Sequence, residues 1–129
     1  MQVFISHADE DSYAATVIAE RLRSAGIAVW HSEEILPGDN WARKVGEALD
    51  ASNAMVVLVS PYAVSSPWVQ REIAYAVGSP QYAGRLIPVI IEPTADVPWV
   101  LRRMSAIDEA HDFEQASKDI IERLQQPVV

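Results

Sequence analysis

The stretch SPYAVSSPWVQREIAYAV, residues 60–77, follows the most apolar run of the chain, Ala54–Val59. Two serines stand directly before Pro67 in its middle, and a hydroxyl residue before a proline is typical of a helix N-terminus. The pattern therefore predicts a helix that begins near Pro67, shortly after a buried strand. In that helix Trp68 and Glu72 are four residues apart and share one face.

An aromatic ring and a carboxylate on one helix face, close to a strand end, form a candidate site for chemistry. By itself the pattern leaves two simpler interpretations open. A glutamate on a helix is most often a solvated surface charge, and a tryptophan near a helix start most often packs in the core or at its rim. The neighbouring stripe of Val69, Ile73 and Ala76 predicts the face that turns to the core.

Strand and helix patterns alternate along the chain. The run Ala54–Val59 contains no polar residue, which is typical of a central strand covered on both faces. Pro88 argues against a central position for the fourth strand. The predicted strands are 3–5, 27–30, 54–59, 86–91 and a weak edge strand at 105–108; the predicted helices run from the acidic cluster after strand one to Gly26, from a cap at Asp39 or Asn40 to about Asp50, from Pro67 to near Gly78, briefly over 99–103, and from Asp112 or Phe113 to Leu124.

This alternation predicts an α/β fold with a parallel sheet, right-handed crossovers and helices on both faces. Ligands of such sheets bind beyond the carboxyl ends of the strands. Ser6-His7, the loop that begins at His31, and Ser60-Pro61 all follow predicted strands. We therefore expect the functional site where these three segments meet.

Length and composition predict one globular domain. The chain has 129 residues, of which half are hydrophobic and 22% charged, enough for one core and too few for two. We predict a single domain over residues 1–126, with the tail 125–129 as a boundary to further chain. No apolar run is long enough to span a bilayer, and Met1 leads into strand one without a signal peptide. The chain also has no cysteine. Together these features predict a cytoplasmic protein without a membrane partner.

Charge and motif patterns exclude several functions. The net charge of −8 argues against nucleic-acid binding. None of the five glycines forms a dinucleotide fingerprint or a P-loop, and the turn after strand one is acidic. Both features argue against a dinucleotide-dependent oxidoreductase and a flavodoxin-type flavin carrier. A phosphoryl-receiver domain needs an Asp at the end of its third strand, where this chain has Ser60. The histidines at 7, 31 and 111 lack metal-ligand spacing, so no metal site is predicted.

Three blocks in the right order resemble the Toll/interleukin-1 receptor (TIR) domain in its bacterial form. The resemblance covers essentially the whole chain, and three blocks in register are fairly specific. Two boxes of animal and plant members are weak here, because the arginine of the second box has no counterpart and the third box retains only Trp99. The matching blocks are Val3–His7 with Asp11; Glu34–Asp39; and Ser60-Pro61 with Ser66, Trp68 and Glu72.

The resemblance implies a flavodoxin-like three-layer fold with a five-stranded parallel sheet. It also implies cleavage of the nicotinamide–ribose bond of NAD+, to ADP-ribose or a cyclic variant, with NAD+ as substrate and no cofactor. Glu72 matches the family's essential glutamate. The implied substrate-binding residues are Phe4, Ser6, His7, Ser32, Trp41 and Trp68, and the implied self-association loop is Glu34, Ile35, Leu36, Pro37 and Gly38.

Two main hypotheses follow. The first is a TIR-type NAD+ hydrolase that is activated by homo-oligomer formation, with a bacterial immune, cell-death or virulence role implied by the family alone. The second is an assembly module without turnover, which the apolar pair Ile35-Leu36 on a Pro-Gly turn favours. A nucleoside-processing enzyme of related fold is a third alternative, testable by offering nucleosides in place of NAD+.

Overall fold

A computed structural model describes residues 1–32 and 40–126. It contains a five-stranded sheet of order β2-β1-β3-β4-β5 in which every neighbouring pair is parallel. The predicted α/β sheet architecture is confirmed. In chain order the elements are β1 Gln2–Ser6, α1 Ser12–Ser24, β2 Ala28–Trp30, α2 Trp41–Ala51, β3 Ala54–Val59, α3 Pro61–Val64, α4 Pro67–Val77, β4 Leu86–Ile90, α5 Trp99–Arg102, β5 Ile107–Asp108 and α6 Phe113–Gln125, with 3₁₀ turns at Asp9–Asp11 and Pro80–Tyr82.

The sheet separates two apolar layers. Alternate strand residues point to opposite faces, so Val3 and Ile5 pack with α1 and α6, whereas Phe4 packs with α2 and α4. All six residues of β3 are buried, as expected for a strand covered on both faces. The predicted core stripe of α4 is also buried, at Val69, Ile73 and Ala76.

Serine and asparagine side chains cap the N-termini of two helices, α2 and α4. The Asn40 side chain accepts a hydrogen bond from the Arg43 backbone N–H at the start of α2. The Ser66 hydroxyl accepts one from the Val69 N–H at the start of α4, with Pro67 in the first turn, as predicted. At the end of α1, Gly26 adopts a φ of 84°, a left-handed conformation that glycine reaches without strain.

The structure corrects the expectation about Pro88 and adds one helix that was not predicted. Pro88 lies in β4, which pairs with β3 on one side and β5 on the other. The strand tolerates it because β5 pairs only with Val89 and Ile90, so Pro88 lies opposite Val57 of β3 and has no β5 residue beside it. The helix α3 was not predicted; it begins at Pro61 because the Ser60 hydroxyl caps the Ala63 N–H.

Ser66→Ala is expected to lower the free energy of unfolding by about 1 kcal/mol, because α4 loses its N-terminal cap. Urea unfolding followed by circular dichroism measures the change. Ser65→Ala is the matched control, since the exposed Ser65 hydroxyl donates to the Pro61 carbonyl at 3.3 Å and is not the cap of α4. Equal stability losses in the two variants would contradict a capping role for Ser66.

Candidate active site

The end of β1 meets α4 through a buried hydrogen bond. Ser6 lies on the same side of the sheet as Phe4, two residues earlier, and this side faces α4. Its hydroxyl donates to Glu72 Oε1 at 2.6 Å. Ser6 is fully buried and Glu72 is only 7% exposed. Glu72 is therefore a buried carboxyl group, and the interpretation as a solvated surface charge is wrong.

Burial perturbs the acidity of this carboxyl. Loss of solvation raises the pKa of Glu72 to about 7, and the hydrogen bond from Ser6 opposes part of that rise. Both protonation states are therefore populated near neutral pH. A buried carboxyl with a raised pKa, placed at a cavity, is a typical feature of an active site.

A cavity of about 560 Å³ opens above Glu72. It lies beyond the carboxyl ends of β1 and β2 and beside the N-termini of α2 and α4, as the strand-end rule predicts. Five of the six predicted substrate-binding residues line the cavity. The sixth, Ser6, does not line it and is hydrogen-bonded to Glu72. The described lining residues are Phe4, Ile5, His7, Ala8, Asp9, Glu10, Trp30, Ser32, Trp41, Pro61, Tyr62, Ser65, Ser66, Trp68 and Glu72.

Aromatic side chains form much of the cavity wall. The rings of Trp41 and Trp68 meet edge to face, with centroids 4.0 Å apart. Phe4 and Trp30 stack with centroids 5.0 Å apart. The prediction from sequence did not include Trp30, although its position at the end of the second strand was a usable signal. It also missed Tyr62, which lies on the unpredicted helix α3.

His7 and Ser32 place polar atoms on the cavity wall. The Ala8 carbonyl lies 2.8 Å from His7 Nδ1, so Nδ1 carries the proton and donates. In the neutral ring Nε2 is then an acceptor, and the Ser32 hydroxyl donates to it at 3.2 Å. His31 is nearby and buried, and burial lowers its pKa to about 4, with a smaller effect from His7. His31 is therefore neutral at physiological pH.

A second serine–carboxyl pair supports the cavity. The Ser60 hydroxyl donates to Asp11 Oδ2 at 2.5 Å and also accepts from the Ala63 N–H. This pair joins the turn after β1 to the end of β3. Burial raises the pKa of Asp11, and the hydrogen bond from Ser60 counteracts that rise. Asp11 does not line the cavity, so we assign it a supporting role.

The cavity lining is acidic. Asp9, Glu10 and Glu72 contribute carboxyl groups, and over the described ranges the lining includes no lysine or arginine. Arg71 approaches from outside, where its guanidinium lies 5.4 Å from the centroid of the Trp68 ring. Within residues 1–32 and 40–126, no group of three or more His, Cys, Asp or Glu side chains is arranged to hold a metal ion.

The predicted self-association loop, Glu34 to Gly38, lies outside the described residues. Its role therefore stays a prediction. Among the helices that are described, none has the length and apolar composition needed to cross a membrane.

Comparison with known proteins gives a family match over nearly the whole chain. The model of the TIR domain family matches residues 3–125. The structure of a metazoan TIR-STING receptor from C. gigas, solved with 2′,3′-cGAMP, superimposes with a TM-score of 0.81 at 28% sequence identity, covering 97% of this chain and 39% of that one.

Two curated relatives match about half of the chain. The 2′ cyclic ADP-D-ribose synthase BtTIR of Bacteroides thetaiotaomicron is 38% identical over 72 residues, which is 54% of this chain and 25% of the relative. The NAD(+) hydrolase TcpA of Theionarchaea archaeon (strain DG-70-1) is 37% identical over 73 residues, which is 55% of this chain and 22% of the relative. The matched segments thus span about a quarter of these relatives' lengths.

Proposed function

The chain belongs to the TIR domain family, and from this premise we propose that it cleaves the nicotinamide–ribose bond of NAD+. The observation that carries the proposal is the buried carboxyl of Glu72 at an aromatic-lined cavity. Two relatives whose names describe NAD+ hydrolysis and cyclic ADP-ribose synthesis support the same chemistry. The products would be nicotinamide and ADP-ribose or a cyclic form of it, and the proposed compartment is the cytoplasm.

Glu72 supplies the negative charge that this reaction needs. When the bond between ribose C1′ and the nicotinamide nitrogen breaks, its electron pair stays on that nitrogen and neutralises the pyridinium. Positive charge then develops on the ribose, as in an oxocarbenium ion. An ionised Glu72 stabilises that charge or bonds to C1′, after which water or a ribose hydroxyl completes the transfer. No general acid is required, since nicotinamide leaves as a neutral molecule.

The cavity wall suits the rest of the nicotinamide riboside unit. Aromatic faces attract a cationic pyridinium ring and exclude water from it. Trp30 and Trp41 are partly exposed rings on this wall, with Trp30 stacked on the buried Phe4, while Arg71 already lies over Trp68. We assign Ser32 and His7 to the ribose hydroxyls, because they are polar side chains on the same wall.

A second candidate function is assembly without turnover. The TIR-STING structure covers 97% of this chain, and the protein it comes from is named as a receptor. In addition, large aromatic side chains are exposed away from the cavity, most of all Tyr13 at 74% and Trp99 at 64% among the described residues. The two functions are compatible if self-association activates the enzyme, which the family resemblance implies.

The deciding experiment is incubation with NAD+ and chromatographic detection of nicotinamide, with light scattering on the same sample. Because self-association is part of the proposal, the domain is assayed both dilute and crowded on beads. Nicotinamide release that increases with crowding supports an enzyme activated by assembly. Concentration-dependent assembly with no release in either format supports the assembly module and contradicts the proposed activity.

The pH dependence of the reaction follows from Glu72. A protonated carboxyl cannot stabilise positive charge on the ribose, and the pKa of Glu72 is about 7. We therefore expect kcat/KM to rise about tenfold per pH unit below pH 7 and to level off above it. Initial rates of nicotinamide release from pH 5 to pH 9 measure this, with circular dichroism as a control for folding. A flat profile from pH 5 upward would contradict the role of an ionised Glu72.

A further inference from the structure

We propose that Ser6 is a positioning residue, whose hydroxyl holds one oxygen of the Glu72 carboxylate and leaves the other to face the ribose. The inference rests on the proposed function, and it gives Ser6 a different role from the substrate contact implied by the family resemblance. Ser6 acts on the substrate only through Glu72.

The backbone holds Ser6 rigidly. It is the last residue of β1, and β1 lies between β2 and β3 in the interior of the sheet. Its register is fixed by parallel pairing with Val57 of β3. The side chain is fully buried. A hydroxyl in this setting has little freedom to move, so its direction toward Glu72 is set by the sheet itself.

Ser6 is not among the residues that line the cavity, so it is not placed to contact the substrate directly. Its neighbours Ile5 and His7 line the cavity, but Ser6 does not. Its hydroxyl donates to Glu72 Oε1 at 2.6 Å, a short distance that is typical of a hydrogen bond to a charged oxygen. Among the residues that the structure describes, no second hydrogen-bond donor to the Glu72 side chain is found. Oε2 is therefore the oxygen left for the cavity.

This arrangement has two chemical consequences. The hydrogen bond fixes the rotation of the carboxylate, so that Oε2 stays in one direction while C1′ separates from nicotinamide. It also favours the ionised form, which is the reactive form, against the opposing effect of burial. Both consequences belong to the chemical step, and neither concerns the initial binding of NAD+.

The test is Ser6→Ala, compared with wild type and with Ser117→Ala. Ser117 is a matched control because it is equally buried but lies in α6, where its hydroxyl donates to the Phe113 carbonyl. For Ser6→Ala we expect kcat to fall about 10- to 100-fold, the range for a lost hydrogen bond to a charged group. We expect KM for NAD+ to change by less than about twofold, and the midpoint of the pH profile to move about one unit alkaline. Ser117→Ala should change none of these three quantities.

A titration without substrate makes the result independent of turnover. Carbon-13 NMR of the Glu72 carboxyl should show its midpoint moving to higher pH in Ser6→Ala and staying in place in Ser117→Ala. An unmoved midpoint, or a raised KM with unchanged kcat, overturns the positioning role. Failure of the proposed function looks different: wild type would release no nicotinamide, while the titration would still report whether Ser6 controls Glu72.

Discussion

Glu72→Gln is expected to reduce nicotinamide release from NAD+ by at least about a thousandfold. Only an ionised carboxylate can stabilise a cationic ribose or bond to it, and losses of this size are typical when the central charged or nucleophilic group of an active site is removed. The amide has the same shape, and its oxygen can still accept the hydrogen bond that Ser6 donates at 2.6 Å in wild type. The expected loss is therefore one of charge, with the cavity preserved.

The control for this variant is Glu47→Gln. Glu47 is also a helical glutamate, but its side chain is 55% exposed and it pairs with Arg43 on the surface. Its substitution should leave nicotinamide release unchanged. Chromatography of the product at matched protein concentration measures both variants, and circular dichroism checks that both are folded. Substantial turnover by folded Glu72→Gln would overturn the assignment of Glu72.

The sequence predicted best the elements that a local residue pattern determines. The apolar run Ala54–Val59 is β3 to the residue, and α4 begins at Pro67 behind its Ser66 cap, as predicted. Hydrophobic runs and N-caps depend on neighbouring residues alone, so one sequence contains their full description. A parallel sheet with helices on both faces then follows because alternating strands and helices have few permitted connections. The strand order β2-β1-β3-β4-β5 was not predicted.

Contacts between distant segments were not available from the pattern. Ser6 and Glu72 are 66 positions apart, and no spacing rule connects them. The shared helix face of Trp68 and Glu72 was predicted, but not their different environments: Trp68 is 39% exposed, whereas Glu72 is 7% exposed. β1 packs against α4 at Glu72 and buries it, and this burial raises the pKa of the Glu72 carboxyl.

Glu72→Gln is also expected to make the protein more resistant to unfolding above neutral pH. The wild-type protein must keep an ionised carboxylate in a buried position, and burial of an ionised group is unfavourable. The pKa of Glu72 is about 7 in the folded chain, against an ordinary value of 4.5. That difference corresponds to about 3 kcal/mol of destabilisation once the carboxyl is fully ionised.

The sign follows from proton binding in the two states. Between pH 4.5 and about pH 7 the folded protein holds a proton on Glu72 that the unfolded chain has already released. Stability therefore falls as pH rises through this window, and the fall ends once the folded carboxyl is ionised. Glutamine does not titrate, so this contribution is absent from the variant. The raised pKa of Asp11 acts in the same direction, but it is common to both proteins and cancels in their difference.

The measurement is urea unfolding of wild type and Glu72→Gln at pH 5 and pH 8. The difference in unfolding free energy should shift by about 2 kcal/mol in favour of the variant between the two pH values. Glu47→Gln should show no such shift, because its parent carboxyl is largely solvated. A difference that is constant with pH would mean that the carboxylate is well solvated in the folded protein. Turnover lost and alkaline stability gained in the same variant would show that the fold retains a destabilising charge because the reaction requires it.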